Sequence, residues 1–175
     1  MNLPNKLTIA RVIAVPFFII AFIIELYLIA FIIFVLASLT DLLDGQIARK
    51  RNLVTNFGKI MDPLADKILV YSALCLFVEF GTVPSWMLIV ILAREFAIAG
   101  MRTVAASEGI VIAAGMSGKI KTVLQMIAVP ILILGHGFFT DFLMPIGNVV
   151  LWASIIATVY SGIEYIAKNK KVFTI

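Results

Sequence analysis

The sequence predicts an all-α, polytopic membrane protein with six spanning helices and a polar cavity that faces the cytoplasm. Three observations predict it. Of the 175 residues, 62% are apolar and only 14% charged, a balance far from that of water-soluble domains. Apolar runs of about 20 residues, enough to cross a bilayer core at ~1.5 Å per residue, recur along nearly the whole chain. The basic residues cluster in alternate connections between those runs, on one side of the membrane, as in cytoplasmic loops.

The spans are expected at about 8–27, 29–51, 58–80, 84–106, 117–138 and 144–168. Before the first lies a short polar start, Met1 to Lys6, and no small-residue cleavage site follows the run, so this segment is expected to remain part of the mature structure. Gly81 to Pro84 and Gly135 to Pro145 punctuate the later spans. No repeat or low-complexity linker divides the chain, so residues 1–175 are read as a single domain. On one side lie Lys6, Arg11, Lys50, Arg51, Lys59, Arg102, Lys119, Lys121, Lys168, Lys170 and Lys171; on the other lie Glu25, Glu79, His136 and Asp141. That asymmetry puts both termini and the charged chemistry in the cytoplasm. The net charge of +4 suits anionic substrates and lipid headgroups as well as a topogenic role.

Several polar or reactive residues carry plainer expectations. Cys75, the single cysteine, excludes a disulfide framework and is expected to be a small buried hydrophobe. His136 and Asp141 are expected in a solvated loop, and Trp86 and Trp152 at the membrane interface.

The stretch from Asp41 to Asp66 breaks the hydrophobic pattern. At ~100° per residue, Asp41, Asp44, Gly45 and Ala48 share an arc of about 100° on the end of the second helix. Gly58, Asp62 and Asp66 follow one another at i, i+4 on the start of the third. The short connection between them makes the two helices antiparallel neighbours whose stripes can meet. Carboxylates converging there would repel one another and resist desolvation, so cations must sit among them. Oxygen ligands without nearby Cys or His favour Mg²⁺ or Mn²⁺ over Zn²⁺, and two ions about 3.5–4 Å apart would clamp a phosphoryl group undergoing in-line displacement. Gly45 and Gly58 allow a nucleotide or phosphate to approach the backbone closely, Ala48 keeps that face shallow, and Arg49 is a phosphate partner.

These residues resemble the signature of the CDP-alcohol phosphotransferases, D-x2-D-G-x2-A-R-x8-G-x3-D-x3-D, at every defined position from Asp41 to Asp66. The resemblance implies six membrane helices, frequent homodimers, and a two-metal site that moves a substituted phosphoryl group from a CDP-linked donor to an alcohol, releasing CMP. By motif position, Asp41, Asp44, Asp62 and Asp66 correspond to the metal ligands, and Asp66 also to the general base. Gly45 and Arg49 match positions that contact the nucleotide diphosphate, and Thr55 is a weaker match to a donor-binding hydroxyl. Further stretches resemble the bacterial branch of the family that uses CDP-diacylglycerol as donor and glycerol 3-phosphate as acceptor. They are Asn2 to Thr8 with Arg11, Asn56 to Gly58 running into Asp62 to Lys67, and Arg94-Glu95-Phe96 with Gly100 and Arg102. The resemblance makes Pro4, Asn5 and Thr8 candidate donor contacts; the residues themselves also read as a polar helix start with Thr8 as a cap.

The acceptor's phosphate needs cations of its own. Arg94, Arg102, Lys119 and Lys121 are the candidates. Arg94 stands out because it lies within a span, where an unpaired charge is expensive. A pairing with Glu95 is not expected, since side chains at i and i+1 point to different faces. The expected partners are thus CDP-diacylglycerol, glycerol 3-phosphate, membrane lipids and a second copy of the chain, with no nucleic acid, in a bacterial plasma membrane. The same chemistry on inositol phosphate, serine or phosphatidylglycerol is an alternative. A cation pathway through the Asp residues is another, but would need acids reaching both membrane faces. A membrane prenyltransferase also uses Asp-rich sites, without the G-x2-A-R continuation.

Overall fold

A computed structural model describes residues 3–50, 56–110, 112–113 and 115–170, with the side chains of 3–4, 41–50, 56–60, 62, 63 and 66 outside the description. Six α-helices account for nearly all of it: α1 (Leu3–Ile23), α2 (Tyr27–Lys50), α3 (Asn56–Glu79), α4 (Ser85–Ser107), α5 (Met116–Gly137) and α6 (Thr140–Lys168). Each falls within a few residues of an expected span. Three stretches, Asn5–Ile23, Met116–Gly137 and Thr140–Lys168, are long and apolar enough to cross a membrane, and Tyr27–Thr40 is a shorter apolar helix. Phe17, Phe96, Phe142, Val149 and Ile163 are all at least 60% exposed, an outer surface suited to lipid rather than water.

Alternating helix direction sets up two ends. At one end Phe22 of α1 packs against Phe77 and Phe80, while His136 of α5 lies among Phe22, Tyr27 and Phe80. Thr82, in the α3–α4 turn, shares a 3.1 Å hydrogen bond with His136 Nδ1. His136 therefore does not sit in a solvated loop: α5 runs on to Gly137, which carries the imidazole into this aromatic cluster. The other end gathers the start of α1, the end of α2, the starts of α3 and α5 and the ends of α4 and α6.

α5 and α6 pack most extensively, with α1 against α2 and α3 next; α4 rests mainly on α6. Small residues permit this closeness. A Cβ on Gly147 of α6 would stand 2.7 Å from Leu132 Cδ2 of α5. The buried stripe of α6, Gly147, Leu151, Ser154, Ile155, Thr158, Ser161, Gly162 and Tyr165, follows helical spacing. Its hydroxyls bond within the helix, Ser154 to the Leu151 carbonyl at 2.7 Å and Thr158 to that of Ser154 at 2.7 Å. Buried polar groups are thereby satisfied without a partner helix.

Two expectations are corrected. Cys75 is exposed on α3 rather than buried, because Ala73, Leu74, Leu76 and Phe77 take the inward positions around it. Thr8 is not a helix cap, since α1 already begins at Leu3 and Thr8 lies in its second turn, fully buried. Asn5 and Arg11 are buried on the same face, spaced at i, i+3 and i+6 with Thr8. Arg11 Nε donates to the Ala37 carbonyl of α2 at 3.2 Å, so the start of α1 lies against the part of α2 that leads into Asp41. Trp86 and Trp152 are half-exposed and touch with tilted rings, their centroids 5.3 Å apart.

Candidate active site

The Asp motif occupies the last turns of α2 and the first turns of α3. Five residues, 51–55, join the two helices, a connection that spans at most ~18 Å. Both pairs of Asp therefore lie at the same end of the bundle. The side chains of Asp41, Asp44, Gly45, Ala48, Arg49, Gly58, Asp62 and Asp66, with Pro4, fall outside the described residues, as does Thr55 altogether.

Beside this motif, at the same end, lies a cavity of about 850 Å³. It is walled by the second half of α4, the first turns of α5 and the last turns of α6, with one residue of α3. Arg94, Arg102, Lys119 and Lys121, which the sequence singles out separately, all line it. So does Lys67, the residue that follows Asp66. The cavity thus meets the motif helix within one residue of its last Asp.

Arg94 and Glu95 are paired, contrary to the expectation from their adjacency: Arg94 Nη1 lies 2.9 Å from Glu95 Oε1. The guanidinium is long enough to swing across the helix face, and the α4–α5–α6 packing draws it to the same side as the carboxylate. Its Nη2 donates to Ser161 Oγ of α6 at 3.0 Å. Glycines make the path. A Cβ at Gly162 would stand 3.1 Å from Arg94 Cγ, and one at Gly118 of α5 3.2 Å from Nη2, so the side chain threads between α5 and α6 where both lack side-chain bulk. Glu95 also takes Lys121 of α5 through Oε1 and Lys67 of α3 through Oε2, the latter at 2.9 Å. One carboxylate, 8% exposed, therefore joins cations from α3, α4 and α5.

Nearer the mouth, Arg102 Nε donates to the Tyr165 hydroxyl at 2.9 Å and its guanidinium lies over the Tyr165 ring. Glu164 accepts from Ser117 of α5 and from Lys168 one turn on. Lys119 is exposed on the wall. Sequence reasoning missed Lys67, Glu95, Ser117, Ser161, Glu164 and Tyr165 as parts of this site. A signal existed for the last three: Ser161, Glu164 and Tyr165 interrupt an apolar span at i, i+3 and i+4, which marks one helix face. Among the described side chains, no group of three or more His, Cys, Asp or Glu is arranged to hold a metal.

A helical bundle with a cationic cavity next to a helix pair that bears four Asp is an arrangement suited to anionic ligands. The chain belongs to the CDP-alcohol phosphatidyltransferase family, which it matches over residues 1–160. Among its relatives is the CDP-diacylglycerol–glycerol-3-phosphate 3-phosphatidyltransferase of Bacillus subtilis, 46% identical over 96% of this chain and 95% of that protein. A protein of the same name from Rickettsia felis is 42% identical over 98% and 97% of the two chains, and one from Haemophilus influenzae 38% identical over 97% and 94%.

Proposed function

We propose that the chain transfers the phosphatidyl group of CDP-diacylglycerol to glycerol 3-phosphate, giving phosphatidylglycerophosphate and CMP. The observation that carries this is the cavity lined by Arg94, Arg102, Lys119 and Lys121, set against the helix that bears Asp62 and Asp66. A dianionic acceptor suits this wall, because its cations outnumber its carboxylates; serine, a zwitterion, brings no net negative charge to it. The names of the nearly full-length relatives agree with it.

In the proposed reaction the glycerol 3-phosphate dianion enters the cavity and its phosphate is held by Arg94, with Lys121, Lys119 and Arg102 around it. Its 1-hydroxyl reaches towards α3. Asp66 accepts the hydroxyl proton as the oxygen attacks the phosphorus that bears diacylglycerol. The new P–O bond forms as the bond to the CMP oxygen breaks, and CMP leaves with the electron pair. Pro4, Asn5, Thr8, Gly45, Ala48, Arg49, Thr55 and Gly58 are proposed to seat the CDP moiety. Asn5 and Thr8 are buried on the face of α1 that also carries Arg11, which bonds to α2, and this supports the part assigned to α1.

Two divalent cations, Mg²⁺ or Mn²⁺, suit the oxygen-only donor set of Asp41, Asp44, Asp62 and Asp66 on adjacent helix ends. When bound they would neutralise the diphosphate and the charge that develops on CMP. The six helices are proposed to span a bacterial plasma membrane, with the cavity and both termini in the cytoplasm, in line with the one-sided Lys and Arg. A homodimer is part of the same proposal.

The test is an acceptor panel with purified protein, CDP-diacylglycerol and Mg²⁺ or Mn²⁺, scored for CMP release. Release with glycerol 3-phosphate and not with inositol phosphate, serine or phosphatidylglycerol is the expected outcome. Preference for another acceptor would refute the assignment while leaving the chemistry in place.

A further inference from the structure

We propose that Glu95 is the positioning residue of the acceptor cavity, holding Arg94 and Lys121 together as one anion-binding pair and tying that pair, through Lys67, to the helix that carries Asp66. The inference rests on the acceptor role assigned to the cavity above and adds a residue that contacts neither substrate.

A carboxylate in a cavity meant for an anion needs a reason, because it opposes the charge the cavity is built to receive. The geometry supplies one. Glu95 is buried, and so is Lys121, whose side chain is 6% exposed. Without the carboxylate, Lys121 and Arg94 would be like charges a few ångströms apart in a poorly solvated site, and each would favour turning away. With it, Oε1 takes both, so the ammonium and the guanidinium are fixed around a single point. A phosphate oxygen that reaches the two groups on their sides away from the carboxylate meets cations already in place, so less side-chain entropy is lost on binding. Arg94 is pinned twice, by Glu95 through Nη1 and by Ser161 through Nη2. Its buried Nε has no hydrogen-bond partner among the described residues, a donor still available to an incoming oxygen.

The other carboxylate oxygen extends the effect to catalysis. α3 and α4 touch over little of their length, and the Lys67–Glu95 pair at 2.9 Å bridges their facing turns. Lys67 and Asp66 are consecutive on a helix, and fixing one fixes the rotation of the turn that presents the other. Glu95 thereby sets the distance between the place where the acceptor phosphate is held and the group that takes its proton.

Glu95→Gln keeps the size and removes the charge. In purified protein it is expected to raise KM for glycerol 3-phosphate by about tenfold or more while KM for CDP-diacylglycerol changes less than about twofold. Inhibition by inorganic phosphate, used as an acceptor-site probe, should weaken in parallel. Because Glu95 acts through its partners, Glu95→Gln and Lys121→Met should be strongly non-additive on acceptor KM, which a general loosening of the fold would not produce. Lys67→Met should lower kcat with little change in acceptor KM. Should Glu95→Gln fail to yield monodisperse protein, Glu95→Gln combined with Lys67→Met leaves the local net charge as it was, and the same rise in acceptor KM is expected. Unchanged acceptor KM, or equal rises in both KM values, overturns the role of Glu95. If Arg94→Ala still raises acceptor KM in that case, the acceptor cavity stands and only Glu95 is removed; if it does not, both readings fall.

Discussion

Arg94→Ala is the substitution whose outcome the structure constrains best. The arginine makes one charge-assisted bond to Glu95 and one to Ser161, and its loss strands neither partner. Glu95 keeps Lys67 and Lys121, and the Ser161 hydroxyl keeps its bond to the Thr158 carbonyl at 3.0 Å. The fold should therefore lose little, and the effect should appear in binding. A hydrogen bond between charged groups contributes about 1.5–3 kcal/mol, so one lost phosphate contact corresponds to roughly a 10- to 150-fold rise in KM for glycerol 3-phosphate. Because the phosphate is held alike in ground and transition states, kcat should change much less. Steady-state CMP release in mixed micelles measures both, varying glycerol 3-phosphate at saturating CDP-diacylglycerol and then the reverse. Arg94→Lys should recover part of the affinity, since an ammonium keeps the charge but lacks the planar fork whose two nitrogens reach Glu95 and Ser161. No change in either KM, or an equal change in both, would refute the reasoning and leave Arg94 as a structural tie between α4 and α6.

Asp66→Asn should keep donor and metal binding in calorimetric titration yet release CMP at least ~100-fold more slowly, the usual scale of a general base; near-normal turnover would remove Asp66 from that role. Asp41→Asn or Asp62→Asn should instead weaken metal and donor binding together. Gly137→Ala should lower the melting temperature in detergent, because the added Cβ would stand 2.5 Å from Tyr27 Cβ and 2.6 Å from its Cγ, an overpacking that costs about 1–3 kcal/mol; an unchanged melting curve would deny that α2 and α5 meet there. In a Cys75→Ala background, needed because Cys75 is exposed, Asn52→Cys should react with an impermeant thiol reagent only from the cytoplasmic side and Asp141→Cys only from outside. Labelling of Asn52→Cys from outside in intact cells would overturn the orientation.

The helices were legible because their signals are local: an apolar run and its Gly or Pro boundary lie within one stretch of sequence, and α4, expected at about 84–106, runs Ser85–Ser107. The facing of single residues was less so, since it depends on what packs from elsewhere. Cys75 sits in an apolar run like its neighbours, and only the placement of α1 and α5 around α3 decides that it looks outward. His136 reads as a loop residue until Phe22, Tyr27 and Phe80 from other elements enclose it. The Arg94–Glu95 pairing failed for a related reason. The i, i+1 rule concerns where Cβ atoms point, whereas the Arg94 guanidinium stands several bonds further out and goes where Gly118 and Gly162 leave room. The Asp motif is the reverse case: its spacing is read entirely from sequence, while its side chains lie outside the described residues. The cations of the cavity are intermediate. Arg94 was visible as a charge in a costly place and Arg102, Lys119 and Lys121 as basic residues on the side of the other cations, but nothing in the sequence says that α4, α5 and α6 bring them to one wall.

That wall explains why two anionic substrates could react at all in the proposed reaction. The donor diphosphate and the acceptor phosphate both carry negative charge, and the acceptor hydroxyl lies only a few bonds from its own phosphate. At an effective dielectric constant near 20, two unit charges ~8 Å apart repel by about 2 kcal/mol, and multiply charged groups by several times that. Opposite means of neutralisation would be used on the two sides: carboxylates with metal ions for the donor, and side-chain cations alone for the acceptor. The boundary between them falls on α3, where Asp66 is assigned to the first and Lys67, bonded to Glu95, belongs to the second. A single consecutive pair of residues thus separates the two electrostatic regimes. The acceptor's reactive oxygen would have to cross that boundary while its phosphate stays behind it. A rigid tie at this point matters more than one elsewhere in the bundle, because an error in the spacing of α3 and α4 would alter the approach of the hydroxyl to phosphorus directly, and misplacement by ~1 Å can cost about 100-fold in rate.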